Sequence, residues 1–95
     1  MKSEKALQNY LIRLAYRHDI FCRKVAAVGH VGFPDIFLAR AGRIILVELK
    51  SPTGKGRLSE KQKREIERLK GEGINVYVCD TKESVEHAIK QLADA

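Results

Sequence analysis

Phe33-Pro34-Asp35-Ile36-Phe37-Leu38-Ala39-Arg40-Ala41-Gly42-Arg43-Ile44-Ile45-Leu46-Val47-Glu48-Leu49-Lys50 decides the fold, because charged side chains open and close two otherwise apolar runs. An acid in such a run is costly unless something neutralises it. Arg40 to Arg43 separates the runs and reads as a tight hairpin, with Gly42 free to take a positive φ. If Ala41 and Gly42 form a two-residue loop, 40 pairs with 43, 39 with 44, and Asp35 comes opposite Glu48. A three-residue loop with Gly42 as a bulge slides that pairing by one, and Ala41 suits the type I′ turn of the shorter loop poorly. In the shorter register the two acids have Cβ atoms about 4.5–5.5 Å apart, where like charges repel unless a cation or a shared proton intervenes. A divalent ion is the simplest remedy. Lys50 lies two residues after Glu48, so strand alternation puts its ammonium on the same face.

The chain has 95 residues, enough for one domain with its own core and too few for two, so residues 1–95 are expected to form a single unit. Its 18 lysines and arginines against 12 acids give a net charge of +6, which favours a polyanionic partner by long-range attraction. With two cysteines, Cys22 and Cys79, both in expected strands, there is no disulfide framework and no zinc-ligand spacing, and buried reduced thiols are expected. Met1 to Lys5 lacks the apolar core of a signal peptide and no apolar run approaches a membrane span; a soluble, cytoplasmic protein is expected.

Upstream of the hairpin, residues 3–18 carry Ala6, Leu7, Tyr10, Leu11, Leu14 and Ala15 at helical spacing behind Ser3 as N-cap. Residues 20–28 suit a first strand, which Gly29-His30-Val31-Gly32 breaks; two glycines so near Pro34 imply a backbone shaped for a purpose. The apolar run Ile44 to Val47 indicates a central strand covered on both faces. Ser51 to Arg57 is a polar, glycine-rich, cationic loop, well placed to meet phosphate. A helix over 59–70, a strand over 74–79 and a last helix capped by Thr81 complete the order αβββαβα. Strand three, helix and strand four form a crossover unit, so these strands should be parallel within an otherwise antiparallel, four-stranded mixed sheet flanked by helices. Tyr10, Tyr16 and Tyr77 show no base-stacking spacing and read as core or rim.

Pro34-Asp35 followed, after a hairpin, by Glu48-Leu49-Lys50 resembles the PD-(D/E)xK nuclease signature, and the element order matches the αβββαβ core of that superfamily. More narrowly, the chain is similar to the virus-type replication-repair nuclease (VRR-NUC) family: Glu4 on the first helix, Gly32-Phe33-Pro34-Asp35, Val47-Glu48-Leu49-Lys50 and Leu58-Ser59-Glu60-Lys61-Gln62 carry the likeness, which runs from about Glu4 to Cys79. The resemblance implies a metal-dependent DNA endonuclease. Mg²⁺, with Mn²⁺ as substitute, would be held by Asp35, Glu48 and the backbone carbonyl of Leu49, an all-oxygen set suited to a hard cation. Lys50 would orient the attacking water and offset charge building on the phosphate. Stand-alone members of the family look like dimeric junction resolvases, which implies a homodimer acting on branched DNA such as four-way junctions.

Other positions carry two readings each. Glu4 matches the family's helix acid, joining the metal directly or through water, and an acid in a first helical turn is also ordinary dipole compensation. Gln62 fits a capping box with Ser59, whereas the matching glutamine of the family points to the active site. His30 is either a DNA contact or a solvated loop histidine. Lys55 and Arg57, with Lys61 and Arg64 on the following helix, form a possible phosphate track or a solvated face. The rival function is a catalytically inert nucleic-acid-binding module on the same scaffold; intact Asp35, Glu48 and Lys50 count against it, since a binder gains nothing from two acids beside phosphates.

Overall fold

A computed structural model describes residues 3–26, 29–53 and 57–94 of the chain. Among them the order is α1 (Glu4–Arg17), β1 (Phe21–Lys24), β2 (Ile36–Arg40), β3 (Arg43–Leu49), α2 (Glu60–Gly71), β4 (Asn75–Cys79) and α3 (Lys82–Ala93). The Ser3 hydroxyl accepts from the Ala6 N–H and starts α1, whose Leu7, Leu11 and Ala15 recur at four-residue spacing and are buried. Ser59 and Thr81 start α2 and α3 with capping boxes, each satisfying two backbone N–H groups that a helix start leaves without partners.

The sheet order is β1-β2-β3-β4, antiparallel across the first two junctions and parallel between β3 and β4, where α2 provides the crossover. This is the mixed α/β arrangement expected from the hairpin and the crossover unit. The hairpin takes its shorter form: Arg40 pairs with Arg43 and Ala39 with Ile44, and both loop residues are left-handed, Ala41 at φ 52° and Gly42 at φ 78°. Register at this loop therefore places position 35 across from position 48 at the far end of the strands.

Side chains of the central strands alternate between two separate cores. Ile45, Val47 and Leu49 join Ile36 and Leu38 under the packed pair α1 and α3. Leu46 faces the other way, against Val76 and Ile66 of α2, with Phe37 and Leu69 at the margin. Glu48 follows Leu46 on this second face. Arg40 ties the hairpin to the end of α3, donating from Nη1 to the carbonyls of Leu92 and Ala93 at 3.0 and 2.9 Å, oxygens that a helix C-terminus leaves without internal partners.

Three expectations need correction. The first strand covers Phe21–Lys24 rather than 20–28; the Val25 N–H still donates to the Asp35 carbonyl at 2.7 Å, but the next residue opposite is Pro34, which has no N–H to continue the ladder. Ala27 and Val28 lie outside the described residues. Cys79 is buried and free, whereas Cys22, on the edge strand, is only half-buried. Tyr16 is neither core nor rim but 87 % exposed, because the position after inward-facing Ala15 turns to solvent.

The left-handed Ala41 carries a strain that asparagine or glycine avoids. Ala41→Asn is expected to stabilise the fold by about 1 kcal/mol, raising the midpoint of thermal unfolding followed by circular dichroism by roughly 4–8 °C.

Candidate active site

Asp35 sits one residue before β2 and Glu48 next to last in β3, on the sheet face that α2 covers. The Leu49 N–H donates to Asp35 Oδ2 at 3.0 Å, so the central strand itself orients the first carboxylate. In an extended strand the N–H and C=O of one residue point to the same side; the Leu49 carbonyl therefore faces the Asp35 side, while the next N–H, that of Lys50, turns to β4 and donates to the Cys79 carbonyl at 2.9 Å. Glu48 is only 2 % exposed. Its Oε2 has the Lys50 ammonium at 3.6 Å and the Gln62 amide at 3.2 Å; its Oε1 is buried without a hydrogen-bond partner. A buried carboxylate oxygen left unpaired is expensive, and this one stands next to a second acid. The donor set of Asp35, Glu48 and the Leu49 carbonyl, with one carboxylate oxygen lacking a hydrogen-bond partner, fits a hard divalent cation.

Gln62 resolves its two readings by doing both at once. Its Oε1 accepts from the Ser59 N–H at 2.8 Å and its backbone N–H donates to Ser59 Oγ at 3.1 Å, closing the capping box. The other end of the same amide, Nε2, donates to Glu48. Ionised glutamate at this position would serve the cap but has no N–H to give Glu48, whereas an amide accepts on one atom and donates from the other. The α2 turn carrying Gln62 is held against the loop before Pro34 at Gly32, whose φ is +98° and where a Cβ would come within 3.0 Å of the Lys61 carbonyl and the Gln62 nitrogen. This is the purpose of the glycine that the sequence flagged.

In this setting the Glu48 carboxyl holds its proton tightly. Burial pushes it from 4.5 up to about 8, helped by the charge of Asp35 and by a hydrogen bond to Asp35 that only the protonated form can make, with Lys50 pulling in the opposite direction. Such a group supports the fold fully while it is protonated in both states, below pH 4.5, and that support is lost as pH rises towards about 8.

The remaining candidates lie elsewhere. Among the described residues no group of three His, Cys, Asp or Glu side chains gathers in one place, so Glu4, exposed at the start of α1, does not stand with Asp35 and Glu48. His30, Arg57, Lys61 and Arg64 are exposed, the last two on the first turns of α2; Lys55 lies outside the described residues. The orienting N–H of Leu49 went unread, since sequence reports backbone donors only once register is known.

Two outcomes follow from this geometry. In chelator, unmodified protein is expected to lose stability relative to Glu48→Gln as pH rises from about 4.5 to 8, by a few kcal/mol in urea unfolding. Gly32→Ala is expected to cost about 2–3 kcal/mol in the same assay, from overpacking at a positive φ against helix backbone that cannot yield.

The sequence matches the family model of the VRR-NUC domain over residues 2–83. A solved structure titled "VRR_NUC domain" is similar with a TM-score of 0.82 and 27 % identity, over 95 % of this chain and 97 % of that one. Another, titled "VRR_NUC domain protein", has a TM-score of 0.80 at 21 % identity, over 97 % of this chain and 88 % of that one, and bears on the fold alone. No curated protein matches the sequence. Since the matched span takes in the hairpin, the crossover helix and the fourth strand, the chain belongs to the VRR-NUC domain family, a family of nuclease-type domains.

Proposed function

We propose that this protein is a divalent-metal-dependent DNA endonuclease that cuts phosphodiester bonds in branched DNA such as four-way junctions, acting as a homodimer. The observation that carries this reading is the buried Glu48, with one oxygen unpaired, beside Asp35. A fold that needed only structure there would gain by replacing the acid with an apolar residue.

Asp35 and Glu48, with the Leu49 carbonyl, would hold Mg²⁺ or Mn²⁺; when bound, the ion supplies a polarised phosphoryl group and a water acidic enough to attack at neutral pH. The protein's own groups do the rest. Leu49 N–H holds Asp35 in place through Oδ2, and Gln62 Nε2 holds Glu48 through Oε2. Lys50 Nζ, beside Glu48 and at the strand end, is placed to donate to an attacking water or to a phosphate oxygen as its charge grows. The cations Arg57, Lys61 and Arg64 on or before α2, with Lys55 two positions earlier in the sequence than Arg57 and His30 ahead of Gly32, would meet neighbouring phosphates and add affinity without reading sequence. Glu4 would reach the ion only through water. A two-fold dimer places two such sites to cut the paired strands of a symmetric branch.

Incubation of linear, flapped and four-way DNA with Mg²⁺, Mn²⁺ or EDTA tests this. Cutting is expected with either metal and on branched DNA before linear, and lost by roughly 100-fold or more in Asp35→Asn, Glu48→Gln and Lys50→Ala. Mg²⁺ should also raise the unfolding temperature of the unmodified protein and not that of Glu48→Gln. Tight DNA binding with no cutting in either metal would favour the inert module, and monomer alone in light scattering would remove the dimer.

A further inference from the structure

α2 covers the β3–β4 side of its sheet face through Ile66, against Leu46 and Val76. Among the described residues no helix covers the β1–β2 side of the same face beyond Phe37, which is half-buried at the margin of the α2 core. Antiparallel register puts Phe21 with Ala39 and Ile44, and Arg23 with Phe37, on the face that carries Asp35 and Glu48. Phe21 is 49 % exposed and Ile44 44 %. The open strip is not simply greasy: the Arg23 guanidinium lies 4.1 Å from the centroid of the Phe21 ring, and that ring meets Phe37 edge-on with centroids 6.1 Å apart. Arg23 Nη1 donates to its neighbour's carbonyl, Cys22 O, at 2.8 Å. Ring and carbonyl together hold the guanidinium over Phe21, so part of its side-chain entropy is already lost before its other N–H groups meet an anion. Among the described residues no acid pairs with it.

We propose that Arg23, seated on the Phe21 ring that Phe37 supports edge-on, is a phosphate clamp for the DNA strand running from the Asp35–Glu48 site across the exposed half of the sheet. This rests on the nuclease reading above and names the path of its substrate. The guanidinium lies over Phe21, whose partner Ala39 is four residues along β2 from Asp35, a separation of about 14 Å in an extended strand, which puts the clamp about two linkages away from the cut. The guanidinium fork binds phosphate oxygens in pairs, and the exposed ring edges beside it are an apolar surface for the intervening sugar. Charge selects a nucleic acid over a second copy of the chain, because a chain with net charge +6 would bring cations against an unpaired arginine.

The neighbouring strand residue supplies a control. Lys24 is exposed but pairs with Ile36, so it points to the opposite face. Binding of a labelled four-way junction is to be measured in Ca²⁺ over a salt series, with single-turnover cutting in Mg²⁺, for the unmodified protein, Arg23→Gln, Arg23→Lys, Phe21→Ala and Lys24→Gln. Arg23→Gln is expected to weaken binding about tenfold, to flatten the dependence of log K on log salt by about 0.7–0.9, and to leave the cutting rate at saturating DNA unchanged. Arg23→Lys should recover the salt slope and part of the affinity. Phe21→Ala should cost roughly two- to fivefold, and Lys24→Gln almost nothing. Equal effects at positions 23 and 24 would overturn the clamp, as would an unchanged salt slope in Arg23→Gln, or loss of a dimer there with DNA affinity intact. Failure of the unmodified protein to cut any DNA defeats the nuclease reading itself, and is told apart by that first measurement.

Discussion

The structure depends on one costly arrangement, a carboxyl group held inside the protein beside another acid. Glu48 lies in the strand that is paired on both sides, so it cannot turn to solvent without breaking the register that buries Ile45, Leu46, Val47 and Leu49. Neither Lys50 at 3.6 Å nor the Gln62 amide at 3.2 Å reaches its second oxygen. The upward shift of its ionisation is the electrostatic expression of that incomplete solvation. A site with this imbalance favours a proton on one of its two acids.

That arrangement is fixed from two directions. From the strands, the Leu49 N–H orients Asp35 and the two-residue loop at Ala41 and Gly42 sets which residues face each other. From the helix, the capping box of α2 positions Gln62, and Gly32 lets the approaching loop touch the first turn of α2. A cap is ordinarily a local device. Here its glutamine extends into the sheet, so the start of a helix and the end of a strand are joined through a single amide.

The two faces of the sheet divide the work. One is sealed by α1 and α3 over an uninterrupted apolar core. The other is covered by the single helix α2 over β3 and β4, which leaves the acid pair at the border between covered and open surface. Burial raises the energetic stakes of the acids on one side of that border, and on the other Phe21 and Ile44 stay about half exposed.

Residue types and their spacing were enough to specify the helices, the hairpin and the crossover. Those features rest on local signals: Ser3, Ser59 and Thr81 as caps, four-residue spacing in α1, an apolar run in β3 and a turn at Gly42. The sequence could not choose between the two loop lengths at Ala41, because a modest turn strain had to be weighed against the burial of a whole strand, and the burial won. It offered Gln62 two partners as alternatives where space allows both, and it pointed to core or rim for Tyr16, which one helical step turns out to solvent. Glu4 stayed apart from the acid pair because α1 packs on the opposite face. What sequence alone determined, then, was which groups must be satisfied; the tertiary structure decided by what, since hydrogen-bond partners, exposure and the open half of the sheet depend on contacts between residues far apart in the chain.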